Sequence, residues 1–373
     1  MYELIRLRYA YEDFESHAKL LNFRIPDSNM PRGVHTKRML RRLRIPSRLR
    51  SSYLRKRLLT SVLTFFVVYI INFIIPRLEP GNVISIIKSS EISPQQRQEL
   101  MQVIGLDKPM HQQFLDYLKQ TFGSFPPNYG YSLGHYPLTV WTLVLTALPW
   151  TLLLVGVSQG IAWVLGVFAG AWLGWHRGSK ADSILFGISN FMWGVPSYWL
   201  ATILIYIFSI KFHVFPPALT TTGLVTGLTF AQVTDVLSHS FLPILTLVIL
   251  TLPLFALVMR GTMVTILQED FMMTAEARGL KNRTLILGHA ARNALLPSVT
   301  NLALSFGSIL SGAYLTEIVY SYPGMGYLVE QSALTRDYPV LQGVFFFSAI
   351  LVIVANVLAD FAYVFLDPRV EYE

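Results

Sequence analysis

Six stretches of this 373-residue chain are apolar for long enough to cross a bilayer as helices. They lie at Leu58–Ile75, within Val140–Trp175, and at about 181–210, 241–259, 298–320 and 343–366. In hydrocarbon every backbone N–H and C=O must be satisfied within the segment, so runs of this kind restrict the chain to membrane-spanning helices. The composition agrees: 53% of residues are hydrophobic, 14% are charged, and the mean hydropathy is +0.46. The expected fold is an all-α polytopic membrane protein with six transmembrane helices. No cysteine occurs, which excludes disulfides and thiol chemistry.

The net charge of +8 is concentrated at one end. Residues 1–57 carry 15 of the 30 Lys and Arg and only five acids, and they lead straight into the first apolar run. Their polar part is too long for a signal peptide, and no fold-sized domain supports nucleic-acid binding. They are expected to form a basic cytoplasmic collar on anionic membrane lipids. Residues 1–25, which mix Tyr, Leu, Ile and Phe with charges, also suit an amphipathic helix against a partner subunit. With both termini inside, the inner segments hold 23 Lys and Arg and the outer ones seven. Without the first 57 residues the short inner loops still exceed the short outer ones, eight to two, so both termini are expected in the cytoplasm of a multi-pass plasma-membrane protein.

The polar stretch between the fourth and fifth spans, residues 269–297, must then stand in cytoplasmic water. Asp270 precedes a short run of helix formers, 271–277, and Gly279 stops it. A second amphipathic piece, 285–296, carries His289, Arg292 and Asn293 and is expected to end where Pro297 opens the first turn of the next span. A short helix, a glycine corner and a second helix make a knob through which a soluble partner can push on the membrane helices.

The pattern D-F-x-x-T-A-x-A-x-G-L from Asp270 to Leu280, followed by H-A-x-R-N-A-L-x-P from His289 to Pro297, resembles the cytoplasmic coupling loop of binding-protein-dependent ABC importer permeases. The spacing is similar to the B-type subunit of the dipeptide/oligopeptide subfamily. PRLEPGN (76–82), GLDKP (105–109), YPGMGYL (322–328), RDYPVLQG (336–343) and LDPR (366–369) also resemble motifs of that subfamily. The resemblance covers about residues 53–369. It implies that Asp270, Phe271, Thr274, Ala275, Ala277, Gly279, Leu280, Arg292 and Asn293 serve coupling to an ATPase. The family's common basic residues are missing at Met273 and Glu276, a departure in charge but not in spacing.

The resemblance further implies a homologous second permease subunit, two ABC ATPase subunits and an extracytoplasmic substrate-binding protein. ATP and Mg would be bound by the ATPases, with no cofactor or metal on this chain. The implied function is uptake of di- or oligopeptides by alternating access, with oligosaccharides and nickel as the other cargoes of such importers. The expected organisation is an N-terminal extension (1–57), a first span (58–76), an extracytoplasmic subdomain (77–139), a permease core (140–366) with its coupling loop (260–297), and a cytoplasmic tail (367–373). The subdomain is expected to be helical at 94–104 and 109–122.

Within the spans, Pro149 is expected to bend the second. Gly156, Gly160, Gly166, Gly170 and Gly174 are expected to let a neighbouring helix approach closely. GVPSYW at 194–199 interrupts the third, either as a simple kink for packing or as a broken helix of the kind that often lines the path in transporters, so Gly194 and Pro196 are path candidates. Ser305, Ser308 and Ser311 recur every third residue in the fifth, as a polar stripe that serves either packing or the path. Glu317 is placed near the outer mouth, and Asn356 and Asp360 near the inner end of the sixth.

Catalysis on this chain has little support. There is no phosphate-binding G-x-x-x-x-G-K-[ST] loop and no H-E-x-x-H. The one G-x-S-x-G, 156–160, falls in a continuous apolar run rather than a strand-to-helix elbow, which disfavours an intramembrane serine hydrolase. A secondary transporter working alone predicts inverted repeats or buried charges along the path, and the sequence displays neither.

Overall fold

The computed structural model describes residues 47–78, 108–125, 127–217 and 230–366. Side chains are not described at 47–57, 76–78, 231–232, 306–312 and 359–366. The basic N-terminal extension, the helix expected at 94–104 and the tail at 367–373 therefore lie outside the described residues, apart from 47–57. The described residues from 53 to 366 belong to one compact unit. Among the described residues every regular element is a helix, and the one β-bridge joins Tyr131 to Thr139.

Among the described residues, ten α-helices of eight or more residues carry the fold: α1 (Ser47–Leu78), α2 (Met110–Phe122), α3 (Val140–Trp175), α4 (Lys180–Trp193), α5 (Ser197–Leu204), α6 (Phe230–Ile266), α7 (Asp270–Ala277), α8 (Ala291–Val319), α9 (Met325–Leu334) and α10 (Tyr338–Leu366). Among the described residues, four helices are long and apolar enough to cross a membrane: those containing Leu58–Ile75, Val140–Trp175, Val233–Ile266 and Tyr338–Leu358. The pair α4–α5 makes a fifth if counted as one span. The remaining expected span, 298–320, is helical within α8, and part of its side chains lie outside the described residues.

The helix α3 keeps the expected limits and runs without interruption through Pro149. At 1.5 Å per residue its 36 residues reach roughly 54 Å, and the 37 of α6 about as far. These two pack along a glycine seam. A Cβ on Gly166 would come within 2.7 Å of Phe255 Cβ and 2.9 Å of the Leu252 carbonyl oxygen. At Gly174 it would lie 2.5 Å from Met263 Cβ. Without a side chain at 166, 170 or 174 the backbones come together, and dispersion over the whole seam holds them. Gly156 and Gly160 differ from the expectation: open space surrounds both.

The third expected span is not a kinked rod. α4 ends at Gly194, Pro196 caps α5, and the two halves meet at 104°. Proline cannot donate the hydrogen bond that would carry the first helix onward. Beyond α5 the chain adopts a π-helical stretch, Ile205–Lys211.

The end of the bundle from which α3 starts is knitted from distant polar groups. The Tyr69 hydroxyl donates to Thr121 Oγ1 at 2.9 Å, and its ring stacks on Tyr117 with centroids 4.7 Å apart. Asn72 Nδ2 donates to the Gln342 carbonyl at 2.8 Å. These contacts clamp α1, α2 and α10 into one aromatic core with Phe73, Tyr129 and Phe346. Lys108, 2.7 Å from Asp116, fastens the entry to α2 and holds that carboxyl below its ordinary range. Asp337 is fully buried: it accepts hydrogen bonds from Ser132 Oγ and, at 2.9 Å, from Gly134 N–H, and so pins the 128–139 loop to the start of α10.

Two further differences lie in the region expected to link the fifth and sixth spans. Residues 325–334 form a separate helix, α9, and α10 begins at Tyr338 rather than 343. Glu317, expected near the outer mouth, is wholly buried. Its Oε2 accepts from Gly326 N–H at 2.6 Å, and Gly324 and Gly326 leave the room its carboxylate occupies. Asn356 is exposed, and the Asp360 side chain lies outside the described residues.

Candidate coupling site

At the opposite end of the α3–α6 seam, α6 overshoots the expected limit of 259 and reaches Ile266. After three intervening residues α7 begins with Asp270 as its first residue. Glu269 and Asp270 sit at its start and Arg278 at its end, the charge order the helix dipole favours. Gly279 follows with φ +75°, a left-handed conformation that ends a helix and that glycine adopts without strain. Its N–H donates to the Glu276 carbonyl at 2.8 Å, while Arg278 N–H bonds Thr274 O at 3.2 Å. The helix–corner–helix reading of the sequence therefore describes the backbone.

α7 has two faces. Met272 and Ala275, three residues apart, turn inward onto Met259, Met263, Leu285, Ala290 and Ala294. Burial of a methionine of this kind contributes about 1.5–3 kcal/mol, enough to seat so short a helix. Ala275 is thus displaced from its expected position on the outer surface: its methyl helps hold α7 to its own bundle. Asp270, Phe271, Thr274, Ala277, Gly279 and Leu280 are exposed, as expected, and Met273 and Leu287 join them. Met273 is 57% exposed and Leu287 56%. Both are apolar side chains facing outward from a polar segment.

The second limb corrects the expected junction. A single turn, Asn282–Thr284, and a π-helical stretch, Leu285–Ala290, run directly into α8. Pro297 stands inside α8, not at its start. Leu285 and Ala290 are buried against α6 and α7, and this tertiary seat keeps the limb helical ahead of the proline. Arg292 and Asn293 are exposed, with Asn293 Nδ2 donating to the His289 carbonyl at 2.8 Å. Beyond the corner at 278–281 the second limb runs into α8 as continuous helix.

The path candidates divide. Gly194 and Pro196 lie exposed at the α4–α5 elbow. Ser305 faces its own bundle: its hydroxyl donates to the Leu302 carbonyl at 2.7 Å and to Gln159 Oε1 at 3.4 Å, and Gln159 Nε2 reaches Thr251. This polar knot joins α3, α6 and α8, the packing use of the serine. Ser308 and Ser311 have side chains outside the described residues. Ser158, the centre of G-x-S-x-G, is buried in mid-helix and donates to the Val155 carbonyl at 3.1 Å, so no nucleophile elbow exists. Sequence reasoning missed Gln159 and the pair Asp182–Arg260. In Gln159 the signal was present, as an amide inside an apolar run. Among the described residues no cluster of His, Asp or Glu has the makings of a metal site.

Residues 162–372 match the family described as binding-protein-dependent transport system inner membrane component. Residues 50–155 match the N-terminal region of the corresponding transport-system membrane component. Among curated relatives, the chain is 31% identical to the oligopeptide transport system permease protein AppB of Bacillus subtilis, over 86% of this chain and 100% of that one. It is 33% identical to the di/tripeptide transport system permease protein DppB of Pseudomonas aeruginosa, over 86% and 99%. It is 30% identical to the dipeptide transport system permease protein DppB of Escherichia coli, again over 86% and 99%. An all-helical membrane bundle, a polar helix–corner–helix seated on it and these matches along most of the chain lead to one assignment: the protein belongs to the binding-protein-dependent transport system inner membrane components, as a permease of the ABC peptide-importer type.

Proposed function

We propose that this chain is one permease half of an ATP-driven importer of di- or oligopeptides. It pairs with a homologous second permease, receives substrate from an extracytoplasmic binding protein, and is driven by two ATPase subunits that bind ATP and Mg. The observation that carries this reading is α7 itself: Phe271, Met273, Ala277 and Leu280 face outward, and the limb behind them passes unbroken into α8. The names of the relatives support peptides over oligosaccharides or nickel as cargo.

In this reading six spans cross the plasma membrane, both termini lie in the cytoplasm, and the 77–139 segment stands outside. The distribution of Lys and Arg supports that orientation. ATP-driven closure of the ATPases draws the two coupling helices together. The bundles rock, because close-packed helices move as rigid bodies.

The test is reconstitution of the chain with its partner permease, ATPases and binding protein in vesicles, with uptake of a labelled peptide as readout. Uptake that requires ATP and both permeases is expected. A chain that purifies alone and moves the peptide without ATP overturns the reading. Mass spectrometry of what the binding protein holds decides the cargo: a bound sugar or nickel ion in place of peptide refutes that part.

A further inference from the structure

The elbowed pair α4–α5 is held to the bundle in an unusual way. Of the fourteen residues of α4 only Asp182 and Ser189 are buried. Ile184, Phe186, Ile188, Phe191 and Trp193 are all exposed, and Ser189 Oγ has no hydrogen-bond partner. Asp182, by contrast, is saturated. Arg260 grips it with two nitrogens, Nε on Oδ1 and Nη2 on Oδ2, the latter at 2.7 Å. Gly178 N–H, in a left-handed turn with φ +79°, donates to Oδ2 at 2.9 Å, and the Asp182 N–H is capped by Ser179 Oγ at 3.2 Å.

The other end of the pair is tied elsewhere. The Tyr320 hydroxyl donates to the Ala201 carbonyl of α5 at 3.3 Å and meets Thr246 Oγ1 at 3.0 Å. The exposed Gly194–Pro196 elbow lies between these fixings. Arg260 is itself immobilised. Its backbone lies under the glycine seam, where a Cβ on Gly170 would approach its N at 3.0 Å and one on Gly174 its O at 3.2 Å. It sits on α6 less than two turns before the helix end that leads to α7. A bidentate guanidinium–carboxylate pair fixes direction as well as distance, which a single ammonium contact does not.

We propose that the Asp182–Arg260 pair is the pin through which movement of the α6–α7 end reaches the elbowed helices α4 and α5. Asp182 and Arg260 are positioning residues that set how much substrate crosses per ATP. This rests on the importer reading above and adds a route within the chain. α4 has almost no apolar seat, so its position follows the pin. When α7 is drawn, α6 carries Arg260, and Arg260 carries the start of α4.

The experiment uses the assembled transporter in vesicles, with spin labels at Phe186→Cys and Thr265→Cys. The chain has no cysteine of its own, so with cysteine-free partners these are the only labels. With Asp182 intact, a narrow inter-label distance is expected that is the same with and without ATP, because α4 travels with α6. In Asp182→Asn and in Arg260→Met the distribution should broaden. Peptide taken up per ATP hydrolysed should fall at least about fivefold, the lower bound of an ordinary coupling between sites. The double variant should be no worse than either single one, since both remove one interaction.

An unchanged distance and an unchanged ratio in Asp182→Asn overturn the proposal. So do a parallel loss of uptake and hydrolysis at constant ratio, which marks a role in stability alone, and losses that multiply in the double variant. Uptake by the unmutated assembly that ignores ATP refutes the importer reading instead. The inter-label distances still judge the pin in that case.

Discussion

The glycine seam predicts opposite consequences for one substitution at two places on the same helix. At Gly166 an added methyl would lie 2.7 Å from Phe255 Cβ and 2.9 Å from the Leu252 carbonyl. Carbon atoms rest at about 3.5–4.0 Å, so α3 and α6 must separate by close to 1 Å or distort. Neither obstacle can rotate away, since one is a Cβ and the other backbone. Overpacking of this kind costs about 1–3 kcal/mol. At Gly156 nothing lies within 4 Å, and the methyl meets open space.

Replacing a helical glycine by alanine gains up to about 1 kcal/mol at either site. The gain cancels when the two are compared, and the clash remains. Gly166→Ala should therefore be less stable than Gly156→Ala by about 1–3 kcal/mol, a factor of roughly 5–150 in the folding equilibrium. Denaturant titration of the full chain in detergent micelles, followed by tryptophan fluorescence, measures the difference. Equal midpoints for the two variants would refute the assignment of this seam, and with it the rigid platform on which Arg260 and α7 stand.

Other expectations are as direct. Gly279→Pro forces φ to about −65° where the corner needs +75°, and Ala277→Asp adds a charge to the exposed face of α7. Both should leave the protein in the membrane while uptake per ATP collapses, and normal uptake in both counts against the docking role. Gly326→Ala places a methyl 2.7 Å from Tyr314 Cβ and 2.9 Å from Glu317 Oε2. A loss of about 1–3 kcal/mol is expected, read as a lowered unfolding midpoint. Asp337→Ala strips the partner from Gly134 N–H and Ser132 Oγ and should cost about 1–3 kcal/mol. Limited proteolysis should then cut faster within residues 128–138, and an unchanged digest would show that other contacts hold that loop.

Much of the molecule was legible because the signals are local. Hydrocarbon demands continuous helix, so apolar runs disclosed where the long helices lie, and α3 kept both its expected ends. A glycine where the chain must turn left-handed disclosed the corner at 279. The face that α7 presents was only half legible. Periodicity separates Met272 and Ala275 from Phe271 and Thr274, but it does not say which pair meets the chain's own bundle, and Ala275 went inward. Pro297 misled for a related reason: proline favours a first helical turn, yet packing of Leu285 and Ala290 extended the helix ahead of it.

What only the tertiary structure decided is which distant groups meet. Asp182 and Arg260 are 78 residues apart in sequence, and Ser132 and Asp337 are 205 apart. Side-chain periodicity along one helix carries no information about the rotation of its neighbour. The stripe of five glycines therefore named a surface, and the approach of α6 chose three of them for the seam. The amino-acid order alone determined that this chain crosses a membrane and bears a rigid polar knob. Burial of Glu317, the pin on α4 and the continuity of the 282–290 limb with α8 followed from helices packing at van der Waals distance, which decides which distant groups come within reach.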